Sequence, residues 1–173
     1  MKIPFAISAR TAHLIGMENF ANAEGAIVEL VKNAYDADAD TCVVVAGIRE
    51  NKAESQLFII DNGSGMTDEI IIKHWMTIGT DDKLLNTRSS NKKRVKSGAK
   101  GIGRFALNRL GTSAEMLSFV GSESGKGYVW DVDWKKFDQA RVLSDVEASL
   151  EEITTDDLVG KLKKYGIDKL PIY

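Results

Sequence analysis

Glu29-Leu30-Val31-Lys32-Asn33-Ala34-Tyr35-Asp36 contains neither proline nor glycine and spaces its Glu, Asn and Asp four and three residues apart. At about 100° per residue, Glu29, Asn33 and Asp36 fall within roughly 60° of arc on one side of a helix. Ile27, Leu30, Val31 and Ala34 fall on the other side. One face is built to pack and the other is left for chemistry. The spacing predicts a helix over residues 22–37, with Gly25 tolerated near its first turn.

Working outward, Ser8 is a candidate N-cap for a short helix reaching about Leu14, with Gly16 as its stop. Residues 42–48 are a continuous apolar, β-branched run of the kind found in strands buried on both faces, and residues 56–60 repeat the signal. That second strand ends at Asp61-Asn62-Gly63-Ser64-Gly65-Met66. Thr67 caps the next helix, with Asp68 and Glu69 in its first turn and Ile70, Ile71, Trp75 and Met76 as its apolar contacts; it fades near Gly79. The polar stretch from Gly79 to Lys100 is long for a connection without structure of its own, and such loops are usually functional or disordered.

Gly98-Ala99-Lys100-Gly101-Ile102-Gly103-Arg104-Phe105 opens a further helix that carries Ala106, Leu107 and Leu110 and ends at Gly111. Residues 113–120 and 127–134 read as the two strands of a hairpin, joined by turn chemistry at residues 121–125. Val142 to Leu150 and Thr155 to Tyr165 have helical character, the latter with an acidic first turn after Thr155.

Three of these segments carry chemistry. A carboxylate at the end of a buried strand, Asp61, can accept a hydrogen bond from an exocyclic amine such as that of adenine. Gly63 and Gly65 permit positive φ and close approach of a flat ring, and Met66 offers it a soft apolar contact. Taken alone, the segment is equally a capped strand-to-helix turn. Asn33 presents a neutral oxygen suited to Mg²⁺ that is also held by phosphate oxygens and water. Glu29, one turn earlier, would then lie near the terminal phosphate and orient or deprotonate a water. Alone, that helix would read as a surface stripe. Gly98, Gly101 and Gly103 entering a helix offer free amides to phosphate oxygens, with Lys100 and Arg104 adding charge. The Gly-Lys-Ser/Thr ending of a P-loop is absent.

The 173 residues are 43% hydrophobic, enough for one substantial core and short for two domains. A single cysteine, Cys42, excludes a disulfide framework within the chain and suits a reducing compartment. The longest apolar stretch, Cys42 to Ile48, is far below the length of a membrane span, so a cytoplasmic protein is expected. The net charge of −2 conceals a basic cluster of Lys83, Arg88, Lys92, Lys93, Arg94, Lys96 and Lys100. A solvated loop, a phosphate-facing lid and a nucleic-acid contact surface all fit that cluster. No aromatic residue lies within it for stacking on bases.

The order Glu-x3-Asn-x2-Asp, Asp-x-Gly-x-Gly-Met and Gly-x2-Gly-x-Gly resembles the GHKL ATPase superfamily, with its histidine kinase-like ATPase domain. The wording is closest to chaperone-like and MORC-like members. The resemblance implies the Bergerat fold, an α/β two-layer sandwich with helices on one face of a mixed, mostly antiparallel sheet. It implies ATP and Mg²⁺ as cofactors, Glu29 as general base, Asn33 as the Mg²⁺ ligand and Asp61 as the adenine-reading carboxylate. Asp36 is placed as a supporting residue. Gly63, Gly65 and Met66 would line the base pocket, and Gly101, Ile102, Gly103, Arg104 and Phe105, after Lys100, would form the phosphate turn. Residues 79–100 resemble the ATP lid, with Thr80 and Lys83 approaching the nucleotide. A threonine that relatives supply from a later strand has no assigned counterpart here.

The whole of residues 1–173 is thus expected to be one ATP-binding domain, the N-terminal part of a longer protein that dimerises when nucleotide binds. A nucleic-acid partner rests on family analogy alone. The competing readings are a histidine kinase-type phosphotransferase and a nucleotide-binding module without turnover. Glu29 argues against the phosphotransferase, and His13 and His74, the two histidines, are more simply surface or packing residues.

Overall fold

The computed structural model describes residues 1–79, 87–97, 101–121 and 126–167. Helix α1 (Ala9–Asn19) and helix α2 (Ala23–Asp36) lead into the strands β1 (Cys42–Gly47) and β2 (Gln56–Asp61). Asn22 caps α2 by accepting from the Gly25 N–H. Helix α3 (Asp68–Ile70) starts on the Thr67 side chain and continues as a π turn (Ile71–Trp75). After the loop come a 3₁₀ turn (Gly103–Phe105) and helix α4 (Ala106–Leu110), then β3 (Ser113–Phe119), β4 (Lys126–Asp133), helix α5 (Lys135–Gln139), β5 (Ser149–Thr154) and helix α6 (Thr155–Tyr165).

β1 and β2 pair antiparallel with Cys42 opposite Asp61, and β3, β4 and β5 form a second antiparallel sheet in the order β3-β4-β5. Helices and antiparallel sheets together make the expected α/β fold. Every strand pairing among the described residues is antiparallel.

Two apolar clusters meet at one place. Ile71, Phe105, Trp130, Val132, Trp134 and Phe137 form the first, against the three-stranded sheet. Phe20, Ala26, Leu30 and Ala106 form the second, with Ile59 of β2 packed against it. The consecutive residues Phe105 and Ala106 belong to different clusters, and Leu107 packs on both. Burying a ring such as that of Phe105 is worth about 1.5–3 kcal/mol, so the turn before α4 is wedged between the two cores.

Four expectations are corrected. Strand β1 is not buried on both faces: Val44 and Ala46 are exposed, because the apolar cluster under α2 takes in Ile59 of β2, opposite Val44, and reaches neither of them. Gly16 does not stop α1. It lies inside the helix, where a Cβ would sit 2.8 Å from the Phe105 carbonyl oxygen, so the position serves close approach of α4. The helical character expected over Val142 to Leu150 is found only as one 3₁₀ turn (Leu143–Asp145), and Ser149 and Leu150 open strand β5. Leu150 pairs opposite Trp130, and Lys126 reaches the Glu152 carboxylate at 2.8 Å, so sheet contacts override the local helical tendency. The cap of α6 is Thr154, in a reciprocal capping box with Asp157.

Alternation along the strands puts Ile59 toward α2 and Phe58 on the reverse side, where its ring meets Tyr165 of α6 at 5.9 Å. The Tyr165 hydroxyl and the Lys161 ammonium both bond the Glu115 carboxylate of β3, at 2.9 and 2.8 Å. Helix α6 therefore touches both sheets.

The tightest backbone approach is at Gly65, which has φ +68° and whose missing Cβ would lie 2.0 Å from the Phe119 carbonyl oxygen. Gly65→Ala is expected to lower unfolding free energy by about 3 kcal/mol in chemical denaturation, combining left-handed strain with overpacking. Gly160→Ala, in α6 with open space around it, is expected to raise it by about 0.5–1 kcal/mol.

Candidate functional site

Leu30, Ala34 and Ala26 of α2 are buried, which turns the opposite stripe of Glu29, Asn33 and Asp36 toward the turn before α4. A Cβ on Gly103 would lie 3.2 Å from Glu29 Oε1 and 3.4 Å from Asn33 Nδ2. The backbone of the glycine turn thus rests directly against the two side chains that were read as base and metal ligand. Glu29 also sits 3.7 Å from the Lys32 ammonium, one turn along the helix.

The strand-end motif packs on the other end of α2. The Ser64 N–H donates to the Ala37 carbonyl at 2.8 Å, and a Cβ on Gly63 would lie 2.9 Å from the Ala37 Cβ. Asp61 Oδ1 accepts from the Gly63 N–H at 2.9 Å, which holds the carboxylate at the mouth of the turn. Asn62 Oδ1 accepts from the N–H groups of Asp40 and Thr41, closing the loop before β1. Cys42 stands opposite Asp61, and burial together with that carboxylate pushes its thiol above the usual range, so it stays protonated.

Three contributors escaped the sequence reading. Ser118, on β3, accepts from the Met66 N–H at 2.6 Å and donates to the Met66 carbonyl, tying the turn after β2 to the second sheet. Its one signal in sequence is a hydroxyl between the apolar residues Leu117 and Phe119. Asp38 is buried and adopts φ +66°, and its carboxylate accepts from the N–H groups of Asn91 and Lys92. Burial raises its pKa, but the Ser89 hydroxyl, those two amides and the Arg94 charge outweigh this and hold it below the usual carboxylate range. Arg94 donates to the Ala39 carbonyl at 2.6 Å and stacks over Tyr35 at 4.8 Å. The alternation Asp36-Ala37-Asp38-Ala39-Asp40 was the available signal for this acid stripe.

The stripe holds residues 87–97. Asp36 Oδ1 accepts from the N–H and hydroxyl of Ser97, Asp38 takes the tip, and Asp40 pairs with Lys92 and Arg94. The Lys92 hydrogen bond pulls the Asp40 carboxyl below its usual range. Within the segment, Arg88 bridges to Val95, donates to the Lys93 carbonyl, and leaves Ser89 buried. Much of the described basic cluster is therefore directed onto the chain itself.

Other predicted site residues fall elsewhere. The Phe105 ring is in the core and its N–H closes on the Ile102 carbonyl at 3.0 Å, so it presents neither to a ligand. The Arg104 side chain is buried and donates to the carbonyls of Thr77 and Gly101. Thr80, Lys83 and Lys100 lie outside the described residues.

Residues 21–164 match the family described as the histidine kinase-, DNA gyrase B- and HSP90-like ATPases. The chain belongs to that family. As one of its ATPase domains it is an ATP-binding domain. It is also 30% identical over 141 residues to the chaperone protein HtpG of Buchnera aphidicola, an alignment covering 69% of this chain and 22% of the chaperone. The chain thus spans about a fifth of that relative's length. No helix among the described residues is long and apolar enough to cross a membrane.

Asp38→Asn retains a side chain that tolerates the left-handed backbone but offers one acceptor oxygen in place of two. The amide protons of Asn91 and Lys92 are expected to exchange faster in that variant while those of β4 do not change. Because the folded-state pKa of Asp38 is depressed, its contribution to stability is present above the ordinary value of 3.8 and lost as pH falls through the folded value. Acid titration of unfolding free energy in parent and variant checks the sign, with the shallower low-pH decline expected in Asp38→Asn.

Proposed function

We propose that this domain binds ATP with Mg²⁺ and hydrolyses it, and that the cycle switches a larger cytoplasmic protein between open and dimerised states. The observation that supports the reading is the closeness of Gly103 to Glu29 and Asn33, whose side chains lie 3.2 and 3.4 Å from where a Cβ on Gly103 would sit, so that the residues read as phosphate turn, base and metal ligand are neighbours. In this reading Glu29 orients and deprotonates the attacking water. Asp61 reads the adenine amine, while Gly63, Gly65 and Met66 form the wall of the base pocket. The Gly101-Ile102-Gly103-Arg104 backbone faces the phosphates.

The donor chemistry fits Mg²⁺. Asn33 supplies a hard neutral oxygen, and no group of three or more His, Cys, Asp or Glu able to hold a metal occurs among the described residues, so the ion would be shared with phosphate oxygens and water. When bound, Mg²⁺ supplies neutralisation of phosphate charge. Asn33 holds it, Asp36 keeps the incoming chain at Ser97 in place, and residues 79–100 serve as the lid.

Dimerisation is supported by the N-terminal segment. Ile3, Phe5 and Ile7 recur at every second residue and are 74%, 105% and 59% exposed, an uncovered apolar segment that a second copy would bury. The docking of Lys92 and Arg94 on Asp40 favours the lid over the nucleic-acid reading of the basic cluster.

Calorimetric titration with a nonhydrolysable ATP analogue, with and without Mg²⁺, tests the assignment. Asp61→Asn is expected to weaken binding about tenfold or more, by loss of a charge-assisted acceptor. Asn33→Ala is expected to lose the Mg²⁺ dependence. Glu29→Ala should bind the analogue as the parent does while steady-state turnover falls by about 10²–10⁴. Equal turnover in parent and Glu29→Ala would remove Glu29 as the base, and binding without any turnover in the parent would leave a nucleotide-binding module.

A further inference from the structure

Arg104 lies in the 3₁₀ turn that leads into α4, yet it is 8% exposed and its guanidinium points into the protein. Its Nη2 donates to the Thr77 carbonyl at 2.7 Å and the Gly101 carbonyl at 2.8 Å. Its Nη1 is buried without a partner among the described residues, and its Cζ lies 5.9 and 6.0 Å from the ring centroids of Trp75 and Phe105. Burial pushes its pKa down to about 10, which leaves it charged at neutral pH. A buried charge with one unsatisfied nitrogen is a poor device for stability alone, so its remaining contacts deserve a second role.

Those contacts fall on a single informative peptide. The Gly101 carbonyl and the Ile102 N–H belong to one trans peptide plane and so point in opposite directions. Gly101 has φ +62° and no side chain to restrict that plane, so nothing intrinsic to the residue keeps the carbonyl inward. The Gly79 N–H also reaches the Gly101 carbonyl, but at 3.4 Å.

We infer that Arg104 is a positioning residue for the phosphate turn: by holding the Gly101 carbonyl inward it presents the Ile102 N–H outward, to the phosphate oxygens of ATP. The inference rests on the nucleotide reading above. It assigns the side chain of Arg104 to orientation of a backbone donor, and its charge never touches the ligand. The Thr77 carbonyl serves as the second anchor that keeps the guanidinium from following Gly101 if the turn moves.

The test measures affinity for the nonhydrolysable ATP analogue with Mg²⁺ and for adenosine, in parent, Arg104→Met and Arg104→Lys, with thermal unfolding of each. Arg104→Met is expected to lose about tenfold or more in affinity for the analogue and to change less than about twofold for adenosine, because only the triphosphate needs the Ile102 donor. Arg104→Lys, with a point charge in place of a planar fork, should recover part of the loss. If the Met variant does not fold, the Lys variant alone is expected to show the same triphosphate-selective loss. Unchanged affinity, or equal loss for both ligands in folded protein, would overturn the inference while leaving the nucleotide reading intact. A parent that binds neither ligand would overturn the nucleotide reading and this inference with it.

Discussion

The structure depends on one close contact, the seating of the Gly101–Gly103 backbone on the polar stripe of α2. A side chain at Gly103 would need the space occupied by Glu29 and Asn33. The contact persists because the turn cannot drift. Phe105 is sunk in one core and Ala106 in the other, so the two residues after the turn are fixed in opposite directions by apolar burial. The same logic explains Gly16, whose missing side chain lets α1 close on the Phe105 carbonyl from behind. Packing thus brings three distant stretches of sequence to one point, and their polar atoms add specificity rather than most of the energy.

The acid stripe extends that arrangement past the end of α2. Asp36, Asp38 and Asp40 project at every second residue where the helix gives way to the loop before β1, and each takes a different part of residues 87–97. Exposed ion pairs such as Lys92–Asp40 are screened and worth little singly. Asp38 differs, because its acceptors meet backbone amides and its own backbone is held at φ +66° by them. The uneven charge distribution of the chain then has a local cause, since the basic segment is the electrostatic complement of the stripe.

Helix α2, the strand ends and the glycine turn were legible because each rests on a local rule: period 3.6 for Leu30 and Ala34, an Asx turn at Asp61, missing Cβ atoms at Gly63, Gly65 and Gly103. What was not legible depends on partners distant in sequence. Val142 to Leu150 has helical character in sequence, and only the register with β4 makes Ser149 and Leu150 the start of a strand. Val44 and Ala46 look buried in sequence because apolar character does not report how far across a sheet the covering helix reaches. Ser118 bonds a backbone 52 positions away, a relation that no spacing encodes. Arg104 beside three glycines reads as a phosphate cation, and its actual direction follows from where Thr77 lies.

That last reversal separates two ways a cation can serve a phosphate site. An arginine aimed outward adds Coulomb attraction that water and salt weaken. An arginine aimed inward gives up that attraction and, as Nη1 without a partner among the described residues records, part of its hydrogen bonding, and gains a rigid hold on a carbonyl. In a turn made of glycines the second service is the scarcer one, because the flexibility that lets backbone approach Glu29 and Asn33 also lets its peptide planes rotate. Preorganised donors cost no reorganisation when the ligand arrives, so fixing one peptide plane contributes to every binding event. The buried guanidinium and the glycines are therefore two halves of one solution, in which closeness comes from missing side chains and orientation from a side chain placed behind them.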